Sequence, residues 1–149
     1  MISIVRTDST NPDFINLVKS LDAYLAEIDG DLHAFYNQFN KVAHLKYVVL
    51  AYEKDTPLGC GAIKEYEPGV MEVKRMYVTP ESRGKGIATK ILRELENWAR
   101  ELSATACILE TGFKQQDAIE LYKKNGYTAI PNYGQYAAVE ESRCFQKNL

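Results

Sequence analysis

The chain has 149 residues, a length that predicts one domain, residues 1–149, with a buried hydrophobic core. Its formal charge of −2 gives no general case for nucleic-acid or membrane binding, and we predict neither as a partner. No apolar run approaches the roughly 20 residues of a membrane span and no charged-then-apolar leader opens the chain, so we expect a soluble cytoplasmic protein.

The first half of the chain is predicted to form four strands and two helices. Asn11-Pro12-Asp13 marks a helix start, and apolar residues then recur at helical spacing until Asp29-Gly30-Asp31 ends the helix. A short second helix is predicted at residues 32–39. Gly59 and Gly61, inside the third strand, indicate a bulge or close packing. The predicted strands span residues 2–5, 46–53, 58–66 and 70–78.

The second half is predicted to alternate helices and strands. Residues 87–102 carry an apolar stripe that ends at Leu102, and the opposite, charged face, which includes Glu96, is expected to be solvated. Gly126 is placed to cap the next helix. The remaining elements are a strand at 104–111, a helix at 115–125 and closing strands at 127–130 and 143–146. Together these elements predict a mixed α/β fold, with a central, mostly antiparallel sheet flanked by helices.

The segment between the predicted strand 70–78 and the following helix is rich in glycine and basic residues. It reads Arg83-Gly84-Lys85-Gly86-Ile87-Ala88. A glycine loop at the start of a helix exposes backbone N–H groups at the positive end of the helix dipole, which favours phosphate oxygens. A surface turn with solvated charges is the alternative. A Walker loop is absent, and Thr89 stands where a dinucleotide fingerprint needs a third glycine.

This loop resembles the pyrophosphate loop of the GNAT N-acetyltransferase superfamily. Residues 72–80 resemble the family's fourth strand, and residues 109–112 and 118–127 resemble its later strand, helix and tyrosine motif. The resemblance runs from Val48 to the C-terminus, and the tail at 130–136 and 142–145 resembles a subgroup of small bacterial members. It implies a GNAT fold and acetyl-CoA as cosubstrate. The cofactor-binding residues it implies are Met76, Tyr77, Val78, Arg83, Gly84, Lys85, Gly86, Ile87 and Ala88.

The resemblance also implies two catalytic residues. Tyr122 matches the family's tyrosine near the thioester sulfur, where a phenol with a pKa of about 10 stays protonated beside a thiol of about 8.5. Packing in the core is the alternative for Tyr122. Glu72 matches a strand position that serves as general base in some members, and it could equally orient substrate or pair with Lys74 or Arg75.

Other reactive residue types have ordinary interpretations. The three cysteines, Cys60, Cys107 and Cys144, lack metal-ligand spacing and are expected to be buried small hydrophobes. His33 and His44 belong to no motif, so we predict no metal site. Two tyrosines of the tail either line an acceptor pocket or plug a surface loop; they are Tyr133 and Tyr136.

These observations predict an acetyl-CoA-dependent N-acetyltransferase that moves an acetyl group to the primary amine of a small molecule. Direct transfer is expected because no convincing covalent nucleophile is present. Two alternatives stay open: an enzyme that acetylates protein lysines or N-termini, and a CoA-binding sensor module without turnover. The family resemblance also makes a homodimer one expected assembly.

Overall fold

The structure is a computed structural model that describes residues 1–30 and 44–149. The helix predicted at 32–39 and His33 lie outside the described residues. The strands are β1 (Ile2–Thr7), β2 (Tyr47–Glu53), β3 (Thr56–Glu67), β4 (Val70–Val78), β5 (Ala106–Gly112), β6 (Thr128–Ile130) and β7 (Ser142–Asn148). The α-helices are α1 (Pro12–Asp29), α2 (Ile87–Glu101) and α3 (Gln116–Lys124), and short 3₁₀ turns occupy Pro80–Ser82 and Gly134–Tyr136.

The described strands form one seven-stranded sheet in the order β1-β2-β3-β4-β5-β7-β6. The pair β4–β5 is parallel, and the other neighbouring pairs are antiparallel. The β4–β5 pair needs a crossover, which α2 supplies, whereas short turns join β2 to β3 and β3 to β4 as hairpins, and α1 lies between β1 and β2 in the chain. The predicted mixed and mostly antiparallel sheet flanked by helices is therefore confirmed.

Hydrophobic cores cover both faces of the sheet. In β2, Val49 and Ala51 join the core beneath α2 and α3, whereas Val48 and Leu50 join the core beneath α1. Successive side chains of a strand point to opposite faces, so a continuous apolar run fits a strand covered on both sides. The same alternation places Met71 and Val73 of β4 in the α2 core and leaves Glu72, between them, on the opposite face of the sheet, whereas Val78 at the end of the strand joins the α2 core again.

The helix start predicted at Asn11 is confirmed. The Asn11 side chain accepts hydrogen bonds from the backbone N–H groups of Asp13, at 2.8 Å, and Phe14, and Pro12 occupies the first helical turn. The cap satisfies N–H groups that have no partner within the helix, and proline loses nothing there because its missing N–H would be unpaired. Gly30, with φ 55°, ends α1 as predicted.

Close packing explains the two glycines of β3. A Cβ atom on Gly59 would lie 2.7 Å from the Tyr77 carbonyl oxygen, and one on Gly61 would lie 2.5 Å from the Met76 sulfur. Any side chain at either position would push β4 or α2 away. The prediction of close packing at these glycines is confirmed.

Several details of the prediction, including some element bounds, were wrong. Glu96 of α2 is buried, because it accepts hydrogen bonds from the Tyr127 hydroxyl and the Lys147 ammonium, each at 2.9 Å. Leu102 lies just beyond α2 and is 39% exposed, because the helix ends one residue before it. β3 begins at Thr56 rather than residue 58, since a two-residue turn suffices to join it to β2.

Candidate active site

Strands β4 and β5 separate part-way along the sheet. Their parallel pairing ends at Glu72 with Ile108, although β4 continues to Val78 and β5 to Gly112. Beyond Glu72, the edge of β4 that faces β5 has no strand partner among the described residues. The sheet therefore has an opening in its middle, and along one wall of it the backbone groups of β4 pair with no described strand.

A bulge in β4 accompanies this opening. The β3–β4 register shifts so that Arg75 and Met76 lie opposite the single residue Gly61. Arg75 has a φ of 58°, a left-handed conformation that non-glycine residues rarely adopt. Its side chain is only 2% exposed and donates a 2.5 Å hydrogen bond to Asp22 of α1. A bulge bends a strand and redirects its side chains, which fits the divergence of β4 from β5.

The glycine loop presents an open cradle at the start of α2. Gly84 and Gly86 have φ values of 79° and 77°, and a Cβ atom on either would meet no atom within 4 Å. Gly86 is the N-cap residue of α2 and has no side chain with which to hydrogen-bond the first N–H groups of the helix. Open space, uncapped N–H groups and a positive dipole end are the conditions for binding phosphate oxygens, so these residues fit a diphosphate.

A groove of about 560 Å³ connects this cradle with the opening in the sheet. Its volume falls within the roughly 300–1,000 Å³ of small-molecule sites. Of the predicted cofactor-binding residues, Lys85 does not line it, and its side chain is exposed. The predicted residues that line it are Met76, Tyr77, Val78, Arg83, Gly84, Gly86, Ile87 and Ala88. The wall also includes residues of α1, α2 and α3 that the sequence analysis missed, among them Tyr24, Thr89, Gln115 and Lys124.

Arg83 lies at the junction of the loop, β4 and α1. Its Nε donates a 2.9 Å hydrogen bond to the Val78 carbonyl oxygen. Its guanidinium carbon lies 5.1 Å from the centre of the Tyr24 ring and 5.7 Å from that of Tyr77. The positive charge of Arg83 is thus held over two aromatic rings in the wall of the groove.

A second cavity of about 80 Å³, here called the inner pocket, adjoins the groove on the α1 side of the opening. The two cavities share the residues Leu21, Met76, Gln115 and Tyr122. The rest of the inner pocket is lined by Leu25, Glu72, Val73, Lys74, Arg75, Glu110, Thr111, Gly112 and Tyr136. A molecule in the groove and a molecule in the inner pocket would therefore meet at Tyr122.

Tyr122 of α3 is a buried phenol at this meeting point. It is 6% exposed, and its ring packs edge-on against Tyr127 with centroids 5.8 Å apart. Burial, together with the negative charge of Glu110, raises the pKa of Tyr122 above its ordinary value. The hydroxyl is therefore protonated at neutral pH and can donate a hydrogen bond.

Glu72 faces the inner pocket and is 7% exposed. Its carboxylate accepts a 2.6 Å hydrogen bond from the Tyr133 hydroxyl. The same carboxylate forms an ion pair with the Lys74 ammonium at 3.3 Å. Burial and the charge of Glu72 raise the pKa of Tyr133, which keeps that phenol a donor. Of the partners predicted for Glu72, Lys74 contacts it, whereas Arg75 pairs with Asp22. Of the two tail tyrosines, Tyr136 is buried and lines the inner pocket, whereas Tyr133 does not line it and contacts Glu72 through its hydroxyl.

Glu110 of β5 is a pocket residue that the sequence analysis did not single out. Glu110 lies two residues beyond Ile108, which pairs with Glu72. Because side chains alternate along β5, Glu110 lies on the same face of the sheet as Glu72. Knowledge of the parallel register of β4 and β5 would have identified it. Short-range sequence patterns carry no such register.

The comparisons with known proteins agree with this geometry. A model of the acetyltransferase (GNAT) family matches residues 12–127. The chain belongs to the GNAT acetyltransferase family. An IAA acetyltransferase of Azospirillum brasilense is 34% identical to it over 99% of this chain and 98% of that protein. The GNAT assignment makes this protein an acyltransferase.

Solved structures show the same GNAT fold. One from Klebsiella pneumoniae, provisionally assigned as an acyl-CoA N-acyltransferase, is 30% identical with a TM-score of 0.84 and covers 100% of this chain and 98% of that one. The PaiA N-acetyltransferase of Thermoplasma acidophilum, solved with coenzyme A, has a TM-score of 0.73 at 17% identity, and the match covers 100% of this chain and 99% of that one. The second likeness is one of fold.

Residues 1–30 and 44–149 of this GNAT chain lack two features. No described helix is long and apolar enough to cross a membrane. No cluster of three or more His, Cys, Asp or Glu residues suited to a metal ion occurs in that part of the chain.

Proposed function

We propose that this GNAT protein transfers the acetyl group of acetyl-CoA to the primary amine of a small molecule by direct transfer. The observation that carries the proposal is the wall shared by the groove and the inner pocket, with Tyr122 in it. Two cavities that meet at a protonated phenol suit a reaction in which donor and acceptor are bound together.

The groove residues are proposed to hold acetyl-CoA. The open cradle at Gly84 and Gly86 and the first N–H groups of α2 would bind the diphosphate. The unpaired edge of β4 around Met76, Tyr77 and Val78 would offer backbone donors to the remainder of the cofactor and to its carbonyl oxygen. Acetyl-CoA supplies an activated acyl carbon on a thiol leaving group.

The proposed reaction forms a C–N bond and breaks a C–S bond. The amine must be neutral before its lone pair can attack, and Glu72 is the proposed acceptor of its proton, directly or through water. The sulfur leaves with the bonding electron pair, and Tyr122 is the proposed donor of a proton to it. Backbone N–H groups of β4 would stabilise the negative charge that develops on the carbonyl oxygen.

A small acceptor is favoured over a protein. The inner pocket measures about 80 Å³ and is walled by side chains from β4, β5, α1 and the tail. The relative named an IAA acetyltransferase also supports a small-molecule acceptor. A homodimer stays a prediction, which the mass of the protein in solution tests.

The test measures thiol release from acetyl-CoA by the full chain. The acceptor panel contains amino acids, polyamines, aminoglycosides and basic peptides, with a reaction lacking acceptor as the control. Calorimetry with acetyl-CoA is run on the same preparation. We expect binding together with amine-dependent thiol release that is fastest with a small amine. Release with peptides alone would favour a protein acetyltransferase, and binding without release would favour a sensor module.

A further inference from the structure

The inner pocket contains a primary amine that belongs to the protein itself. Of the described residues that line the pocket, only Lys74 carries an ammonium group. Lys74 lies two residues after Glu72 on β4, so the alternation of the strand places both side chains on the same face of the sheet. The side chain of Lys74 is only 12% exposed, and lysine is rarely so buried unless it is paired. A lysine is thus held in the cavity where the proposed function places the acceptor amine.

Lys74 contacts the carboxylate that is proposed to receive the proton of the acceptor. Its Nζ lies 3.3 Å from Oε1 of Glu72, and the Tyr133 hydroxyl binds the other oxygen, Oε2, at 2.6 Å. The tyrosine holds the carboxylate at one oxygen, and the lysine ammonium occupies the other. An amine of the protein therefore lies where the ammonium of a bound acceptor would form its ion pair with Glu72.

Lys74 is also close to the proposed site of the thioester carbonyl. Met76, whose backbone is proposed to bind acetyl-CoA, lines both cavities and lies two residues after Lys74. Two residues of an extended strand span about 6.6 Å, and lysine has a flexible stem of four carbons. The lysine nitrogen and the thioester carbon would therefore lie within reach of each other.

We infer that Lys74 is a site of self-acetylation, at which the protein transfers the acetyl group of bound acetyl-CoA to its own Nζ. The inference rests on the proposed function, because it uses the same donor and the same proton acceptor. A pocket that acetylates primary amines beside Glu72 holds, in Lys74, an amine that is already in place, and a group held in place reacts at a high effective concentration. Because acetyl-lysine is neutral, the modification would release Oε1 of Glu72 for the ammonium of a second substrate.

The chemical balance of this step matches that of transfer to an added amine. The Lys74 ammonium gives one proton to Glu72, and the neutral nitrogen then attacks the thioester carbon. A C–N bond forms, the C–S bond breaks, and the sulfur leaves with the bonding electron pair and gains a proton from Tyr122. The nitrogen loses its second proton as the amide forms. One ammonium and one acetyl-CoA thus give one acetyl-lysine, one CoA thiol and one proton.

Other nitrogen groups around the two cavities fit this chemistry less well. Arg75 carries a guanidinium, which stays protonated and is a poor nucleophile. The lysines of the groove are Lys114 and Lys124, and both are exposed. Glu72 lies outside the residues that line the groove, so these two lysines lack the proposed proton acceptor.

The experiment follows the mass of the full chain during incubation with acetyl-CoA at neutral pH, without an added amine. Thiol release is measured in parallel, and tandem mass spectrometry of peptides locates the acetyl groups. We expect one acetyl group per chain, on Lys74, with one equivalent of thiol, after which release stops. Acetylation of Lys74 should be roughly 100-fold faster than that of the exposed Lys19 of α1. Acetylation of Lys74 no faster than that of exposed lysines would overturn the inference.

Two variants separate the proposed step from uncatalysed acetylation. Lys74→Arg keeps a positive charge beside Glu72 but removes the nucleophilic amine, so the single equivalent of thiol should be lost. The matched control, Lys19→Arg, should release that equivalent as the wild-type chain does. Glu72→Gln should slow acetylation of Lys74 at least 10-fold, because the nitrogen loses its proton acceptor. An unchanged rate at Lys74 in folded Glu72→Gln, as judged by melting temperature, would overturn the inference.

The acceptor panel distinguishes this inference from the proposed function. A chain that acetylates a small amine but leaves Lys74 unmodified would overturn the inference and leave the proposed function intact. A chain that acetylates Lys74 once and accepts no added amine would support the inference and contradict the proposed function. Thiol release under neither condition would overturn both. The mass of the purified chain is recorded before incubation, and an acetyl group already on Lys74 supports the inference only if Glu72→Gln lacks it.

Discussion

The hydroxyl of Tyr133 donates a 2.6 Å hydrogen bond to the carboxylate of Glu72, across 61 residues of sequence. A short O–H···O⁻ distance is typical of a charge-assisted hydrogen bond. Tyr133 is itself held edge-on between the rings of Tyr66 and Tyr136, with centroids 5.1 and 6.0 Å away. The tail of the chain therefore fixes the orientation of the residue proposed to receive the proton of the amine.

Replacing Glu72 should alter the pH dependence of turnover. We expect Glu72→Gln to lower kcat most at low pH, where the amine is protonated and help in removing its proton matters most. Tyr133→Phe should lower kcat by a smaller factor, because the Glu72 carboxylate loses the hydrogen bond that orients it. The matched control is Tyr66→Phe, because the Tyr66 ring packs edge-on against Tyr133 but its hydroxyl makes no hydrogen bond to Glu72 in the described part of the chain. A pH–rate profile that Glu72→Gln leaves unaltered would reduce Glu72 to an orienting role.

The hydroxyl of Tyr122 should contribute to turnover rather than to cofactor affinity. Tyr122→Phe keeps the buried ring, so we expect kcat to fall about 10- to 1,000-fold with little change in acetyl-CoA affinity, as for loss of a proton donor in the transition state. Kinetics, calorimetry and melting temperature are measured on one preparation. Wild-type kcat in this variant would refute the assignment.

The neighbouring Tyr127 supplies the control for Tyr122. Its hydroxyl bonds the buried Glu96 at 2.9 Å and lines neither cavity. Tyr127→Phe should lower the free energy of unfolding by about 1–3 kcal/mol, because a buried carboxylate loses a donor. It should leave kcat per folded molecule unchanged. A similar loss of kcat in both variants would mean that packing, not the Tyr122 hydroxyl, sets the rate.

The stability of the protein should decline at alkaline pH. Burial raises the pKa of Cys60 to about 12 and that of Cys107 to about 11. Because the folded state holds these protons after the unfolded chain has released them, the stability they contribute is complete below about pH 8.5 and is lost as pH rises towards the folded values. Urea unfolding between pH 7 and 11 under reducing conditions measures the decline. Each thiol should lower the free energy of unfolding by up to about 1.4 kcal/mol for each pH unit between its unfolded and folded pKa values.

Cys60→Ala separates this titration from general alkaline damage. The variant removes one raised pKa, so its unfolding free energy should fall less steeply above about pH 9 than that of the wild-type chain. Its stability at pH 7 should be slightly lower, because a buried side chain shrinks. Parallel pH curves for the two proteins would show that the Cys60 thiol does not titrate in this range.

Local signals allowed much of the fold and the cradle to be predicted. The bounds of β4 were predicted at Val70 and Val78, as observed, because turn residues flank an apolar run. The cradle was predicted from Gly84 and Gly86, because glycine allows the backbone to approach a ligand closely and to adopt positive φ values. Both glycines have positive φ in the structure.

Long-range pairing accounts for what the sequence could not predict. The burial of Glu96 depends on Lys147, which lies 51 residues away on another element. The place of Glu110 depends on the register of β5 against β4, and the conformation of Arg75 depends on a bulge set by β3. Helical periodicity depends only on the residues of one helix, so the prediction placed Glu96 on the solvent-exposed face.

The cradle should lose cofactor affinity when Gly86 gains a side chain. Gly86→Val brings a β-branched residue to a φ of 77° and fills the open space over the loop, where the diphosphate is proposed to bind. We expect calorimetry to show acetyl-CoA affinity reduced by about 100-fold or more, since several hydrogen bonds to a charged group are lost together. Gly86→Ala should show the same effect in weaker form.

Backbone strain at Gly86 is controlled by an equivalent glycine elsewhere. Gly69, in the turn between β3 and β4, has a φ of 82° and lines neither cavity, and a Cβ atom there would make only an ordinary contact, 3.6 Å from the Thr105 hydroxyl. Gly69→Ala and Gly86→Ala should therefore lower the melting temperature by similar amounts, because each forces alanine into the left-handed region at a cost of about 1–2 kcal/mol. Of the two, Gly86→Ala alone should weaken acetyl-CoA binding. Equal affinity in both variants, with circular dichroism unchanged, would place the phosphates outside the cradle.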